Sequence, residues 1–126
     1  MGQVENRKTY VTNAFTLSML PLPAGGDERR FRLSIKEVTA EETRRLLERG
    51  FISAIGHQGT AELLSELLGM NIPVNRIAIR LDHGDRAIVI QLLERLPEGK
   101  ILSREEIIQL YQQGKVKLYL VEIEYE

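Results

Sequence analysis

Val74-Asn75-Arg76-Ile77-Ala78-Ile79-Arg80-Leu81 and Ala87-Ile88-Val89-Ile90-Gln91-Leu92-Leu93 flank the tetrapeptide Asp82-His83-Gly84-Asp85. Both runs are rich in branched apolar residues and the tetrapeptide has turn chemistry. The spacing therefore predicts two strands joined by a hairpin. On either side of this pair the pattern alternates between helix and strand. Residues 117–124 alternate as a closing strand, and before them Ser103 opens a helix, with Glu106 completing a capping box and Gly114 as its stop. Upstream, a helix begins near His57 and runs to Leu68, with Leu63, Leu64, Leu67 and Leu68 on one face and Gly69 as terminator. Thr39 and Glu42 form a second capping box ahead of Leu46 and Leu47, and Gly50 ends that helix. Residues 51–56 read as a short apolar link.

Toward the start, residues 31–38 read as a strand. Residues 9–15 read as another, with Val11, Asn13 and Phe15 on one face. The prolines and glycines of residues 20–27 make a loop. The order β-β-α-α-β-β-α-β implies an α+β fold, a mixed sheet of about five strands covered by helices. At 126 residues one domain is expected, with residues 1–8 as a flexible N-terminus.

Seventeen basic residues against 18 acidic ones give a net charge of −1, which argues against a partner as long and as charged as DNA or RNA. A small anion in a local pocket stays possible. The chain has no cysteine, which removes disulfides and thiolate metal sites. No apolar run has the length of a membrane span, and no signal peptide opens the chain, so a cytoplasmic location is expected.

Chemistry must come from few residues. His83 lies in the turn between Asp82 and Asp85 and reads as a solvated turn residue. His57 follows Gly56 and precedes Gln58-Gly59-Thr60 at a helix start, where free backbone N–H groups attract anions and a small residue admits a phosphate. It is either a proton donor beside that anion or merely a cap. Gln91 is polar inside an apolar strand, so its amide is expected to be buried and to need partners. Arg95 and Glu98, around Pro97, are either an exposed ion pair or a phosphate contact with a proton acceptor. Arg76 and Arg80 share one face of their predicted strand. Arg29-Arg30 and Arg44-Arg45 read as solvated charge.

Four stretches in order carry a resemblance: residues 10–20 (Tyr10-Val11-Thr12-Asn13-Ala14-Phe15 onward), Ala54-Ile55-Gly56-His57, Arg95-Leu96-Pro97-Glu98-Gly99-Lys100, and Glu105-Glu106-Ile107 through Gly114-Lys115-Val116. Together they resemble the viral anti-CRISPR ring nucleases that disarm type III CRISPR immunity. The resemblance implies a homodimer that binds cyclic tetra-adenylate across its two-fold axis. It also implies cleavage, without metal or cofactor, to linear di-adenylate ending in a 2′,3′-cyclic phosphate. By position, His57 becomes the catalytic histidine with Glu98 and Arg95 beside it, and Asn13, Thr16, Gly56, Arg76 and Gln91 fall at ligand-contact positions. Thr16 stands where the family usually has serine. Glu98 would either assist the attacking hydroxyl or hold His57. The competing reading is a non-catalytic module that sequesters the cyclic nucleotide.

Overall fold

A computed structural model describes residues 7–95 and 102–125. Among them, five strands form one mixed sheet: β1 (Thr9–Thr12), β2 (Phe31–Val38), β3 (Ile52–Ala54), β4 (Arg86–Leu92) and β5 (Val116–Tyr125), in the order β2-β5-β4-β1-β3. β1 pairs in parallel with both β3 and β4, while β5 runs antiparallel to β4 and to β2. The helices are α1 (Ala40–Leu47), α2 (Gln58–Leu68) and α3 (Arg104–Gln112). The α+β class with a mixed five-stranded sheet is as the sequence implies.

Strand alternation sorts the core into two layers. Val11, Ile88, Ile90, Leu118 and Leu120 face one way and meet Leu47, Leu63, Leu64, Leu68 and Ile107 of the helices. Burying a Leu or Ile completely is worth about 1.5–3 kcal/mol, so this layer holds the helices on one face. Tyr10, Ala87 and Ile123 face the other way. They are covered by Met19 of a 3₁₀ turn (Leu17–Met19) and by Ile79 and Leu81.

Both capping boxes form. The Glu42 N–H donates to Thr39 Oγ1 at 3.0 Å and the Thr39 N–H to Glu42 Oε1 at 3.1 Å. That backbone bond, the largest cause, holds the Glu42 carboxyl below the ordinary carboxylate range. Ser103 and Glu106 exchange bonds of 3.2 and 3.0 Å. Gly69 closes α2 at φ 67°, a left-handed conformation that glycine adopts without steric cost.

Four expectations are corrected. Residues 74–81 are not a strand, since Val74 makes a lone bridge to Ile55 and the rest runs irregularly. Their alternation is real, but it inserts Ile79 and Leu81 onto the sheet face while the backbone bonds elsewhere, with the Leu81 N–H donating to the Met19 carbonyl at 2.8 Å. Asp82-His83-Gly84-Asp85 is thus a turn leading into β4, not a hairpin. Residues 51–56 contain β3, too short to leave a pattern. β1 stops at Thr12, whose hydroxyl donates to the Ala14 carbonyl at 3.0 Å and accepts the Ala14 N–H at 3.2 Å, turning the chain away from the sheet. The element order is β-β-α-β-α-β-α-β.

The start of β1 is pinned rather than loose at Lys8. Asp85, 3% exposed, accepts the Lys8 N–H and the Asp82 N–H, each at 2.9 Å. Residues 1–6 lie outside the described residues. One carboxylate therefore joins Lys8, the 82–85 turn and the start of β4. Asp85→Ala leaves two backbone donors unpaired, and we expect it to cost about 2–4 kcal/mol in denaturant unfolding, with Asp85→Asn losing about half as much. A loss under about 0.5 kcal/mol, the usual scale of a surface change, would show that the carboxylate is dispensable.

Candidate functional site

Because β3, β1 and β4 run in parallel, their carboxyl ends reach the same edge of the sheet. That edge is where open α/β sheets form their ligand crevices. Thr12 hands on there to Asn13, Ala54 to Ile55-Gly56-His57, and β4 ends through Gln91 and Leu92. Three segments far apart in sequence are thereby brought together.

Gly56 is gripped from both sides. Its N–H donates to Asn13 Oδ1 at 3.4 Å, and its carbonyl accepts Arg76 Nε at 3.0 Å. Arg76 is placed by its neighbours: the Asn75 side chain donates to the Ser53 carbonyl at 2.7 Å, and the Asn75 N–H to the Ile55 carbonyl at 2.9 Å. Ser53 Oγ in turn donates to the Pro73 carbonyl at 2.5 Å. The irregular 73–76 run is thus strapped along the free edge of β3.

His57 is the N-cap residue of α2, extended at φ −121° and ψ 129°, with its carbonyl accepting the Ala61 N–H at 3.0 Å. Its side chain makes no capping hydrogen bond and is exposed. His57 thus caps α2 through its backbone alone, as a capping histidine without a side-chain partner, and its imidazole is left for other contacts. The first N–H groups of α2 stay open to an anion beside it.

Two hollows adjoin at this point, and both are lined by His57, Asn13 and Ala14. One, of about 680 Å³, spreads over the open face of the sheet past Phe15, Ile35, Gln91 and Tyr119. The other, of about 630 Å³, is lined by Thr16, Gly56, Arg76 and Arg80. Asn13, Thr16, Gly56, His57, Arg76 and Gln91 are all gathered around these two spaces. Arg95 is not, since it lines a separate hollow of about 230 Å³ against α3, near Glu94, Glu106 and Lys115. Glu98 lies outside the described residues.

Gln91 corrects the expectation of a buried amide. It is exposed, opposite Lys117 on the face the helices leave open. Sequence reading also missed Ser53 and Asn75, which only position, and Phe15, Ile35 and Tyr119, which line the open face. For Tyr119 the alternation of β5 carried a signal, whereas nothing local marks Ser53 or Asn75. His83 is an exposed turn residue but a bonded one. Its Nδ1 accepts the Tyr125 N–H at 2.9 Å, and the Tyr125 hydroxyl donates to Asp82 at 3.0 Å. Burial first, then Asp82, pushes the Tyr125 hydroxyl pKa up. Exposed ion pairs occupy Arg30, Arg44 and Arg45. Among the described residues no three His, Asp or Glu side chains gather to hold a metal, and no helix is long and apolar enough to cross a membrane.

The five-stranded α+β fold is shared with a solved structure, and its sequence with a family. The chain belongs to the STIV B116-like family, whose profile matches residues 9–120. It is 43% identical over 98 residues to protein 26 of Sulfolobus islandicus filamentous virus, covering 77% of this chain and 78% of that one. With ORF116 of Acidianus filamentous virus 1 it shares 35% over 121 residues, or 91% and 95% of the two chains. The solved structure of B116 from Sulfolobus turreted icosahedral virus superposes with a TM-score of 0.77 at 34% identity, covering 91% of this chain and 98% of B116.

Gly59 tests whether the helix start is kept open for a ligand. A Cβ there would meet nothing within 4 Å, so packing does not demand glycine. Gly59→Ala is expected to raise stability by about 0.5–1 kcal/mol and yet weaken binding of phosphate-bearing ligands. A stabilised variant that binds such ligands like wild type would make Gly59 an ordinary surface position.

Proposed function

We propose that this protein is a ring nuclease that opens cyclic tetra-adenylate to linear di-adenylate with a 2′,3′-cyclic phosphate, switching off type III CRISPR signalling. The observation that carries this reading is the uncapped, exposed imidazole of His57 at the junction of two hollows, one residue from a backbone held by Asn13 and Arg76. The resemblance in sequence assigns the same histidine to catalysis.

The chemistry follows from that placement. The ribose 2′-oxygen attacks the adjacent phosphorus, the bond from phosphorus to the 5′-oxygen breaks, and a cyclic phosphate closes. Such an attack needs in-line geometry more than a strong external nucleophile. Protonated His57 gives its proton to the departing 5′-oxygen, while the 2′-hydroxyl proton leaves to a base. Glu98 either takes that proton or orients His57. The first-turn N–H groups of α2 and a guanidinium offset charge on the phosphoryl oxygens. Arg76 is the guanidinium that the geometry supports beside Gly56, and Arg95 enters on the resemblance. No step is routed through a metal.

A homodimer fits the open sheet face. Ile35 is 58% exposed there, next to half-buried Val89 and Tyr119, and an isologous contact on this face would bring two copies of the His57 edge to one two-fold ligand. Ile35→Glu is expected to shift the protein toward monomer in sedimentation and to weaken binding of cyclic tetra-adenylate. A dimer unchanged by Ile35→Glu would move the interface elsewhere.

The decisive measurement is single-turnover cleavage of cyclic tetra-adenylate with EDTA present, alongside equilibrium binding. His57→Ala should bind nearly as wild type and cut about 10²–10⁴-fold more slowly. Wild type that binds the ring and releases it intact would make the protein a sequestering module instead.

A further inference from the structure

Arg80 lines the second hollow and is left without a role by that mechanism. It is exposed, and it makes no side-chain hydrogen bond or ion pair among the described residues. Its backbone is nevertheless fixed. Ile79 and Leu81 on either side are buried, and the Leu81 N–H is bonded to the Met19 carbonyl at 2.8 Å. A long, exposed cation is thus carried on an anchored segment at the wall of the hollow.

The lining around it is one-sided in charge. Among the described residues, Arg76, Arg80 and His57 contribute to a wall that holds no carboxylate. In a chain with 18 acidic and 17 basic residues such a segregation is local. Arg76 and Arg80 lie four residues apart on a non-helical run, so their Cα atoms are at most about 14 Å from each other. Two flexible guanidiniums over that span can reach neighbouring phosphates of one oligonucleotide, and each can bind bidentately. Arg76 spends only its Nε on Gly56, which leaves its outer nitrogens as donors.

We infer that Arg76 and Arg80 together bind a second phosphate of the ligand, next to the one at His57, and that Arg80 is a further ligand-binding residue. It reads the phosphodiester backbone beyond the bond being cut. The identity of the ligand as a cyclic oligoadenylate rests on the function proposed above. The binding of paired phosphates in this hollow does not.

Two ligands separate these layers: cyclic tetra-adenylate, and inorganic pyrophosphate, which has the charge without base or ribose. Calorimetric binding of each is compared for wild type, Arg80→Ala and Arg80→Lys at several salt concentrations. Arg80→Ala should weaken both ligands by about tenfold, the scale of one lost charge-assisted contact. Its plot of log affinity against log salt for the cyclic ligand should be shallower by about 0.7, as for one phosphate contact on a single strand. Arg80→Lys should recover the salt slope and part of the affinity, which a merely structural role would not predict. Wild type that binds pyrophosphate through Arg80 but ignores the cyclic ligand would refute the ring-nuclease reading and uphold the paired-phosphate site. Arg80→Ala with wild-type affinity and salt slope, or a wild type that binds neither ligand, overturns the inference.

Discussion

The parallel pairing of β1 on both its edges is the constraint from which the site follows. β1 is only four residues long and buried throughout, yet it pairs Tyr10 with Ile52 on one side and with Ala87 on the other. Parallel neighbours cannot be joined by a tight turn, so the chain must cross back over the sheet between them. α2 makes that return between β3 and β4, and its first turn necessarily opens at the carboxyl edge. The anion-attracting end of a helix, the histidine that caps it and the loops leaving β1 and β4 are therefore neighbours by topology.

What holds the edge in shape is the grip on Gly56. The Asn13 contact at 3.4 Å is at the weak end for a hydrogen bond, whereas Arg76 at 3.0 Å brings a charged donor. Most of the restraint therefore comes from the arginine side, and through Arg76 from the Ser53–Asn75 bonds along β3. Satisfying the backbone of Gly56 this way leaves the His57 imidazole with nothing to hold up. A side chain relieved of structural duty at a helix start is available to whatever binds there.

The parts of the fold that could be read from sequence are those decided locally. Thr39 with Glu42 and Ser103 with Glu106 meet within one helical turn, and Gly69 ends α2 through its own backbone. The misread parts were decided at a distance. Residues 74–81 alternate as a strand does, but alternation reports which side chains are buried and not which backbone groups pair. Ile79 and Leu81 are buried by the sheet while the N–H of Leu81 is claimed by Met19, some sixty residues upstream. In the site, His57 and Asn13 were legible because glycine, helix start and motif lie beside them. The Arg76–Gly56 bond joins residues twenty apart through irregular backbone, and no period announces it. The apolar neighbours of Gln91 suggest burial, yet its exposure depends on a face that nothing among the described residues covers.

That uncovered face bears on the chemistry as well as on the fold. The strap through Ile79 and Leu81 and the 3₁₀ turn shield the part of the sheet around Tyr10 and Ala87, and they stop there. Beyond them Ile35, Val89 and Tyr119 form an apolar floor whose rim is polar at Asn13, His57 and Gln91. Ile35 in particular would be buried if a second copy covered this floor. In the proposed mechanism, proton transfer from His57 would also gain from a cover, because a proton donor and a phosphoryl charge interact more strongly once water is excluded. Among the described residues the hollow is open on the side away from the sheet. A second copy laid on the apolar floor would close it and would supply another His57 from the opposite direction. The same burial that stabilises the pairing would then dry the site, so assembly and catalysis would draw on one surface.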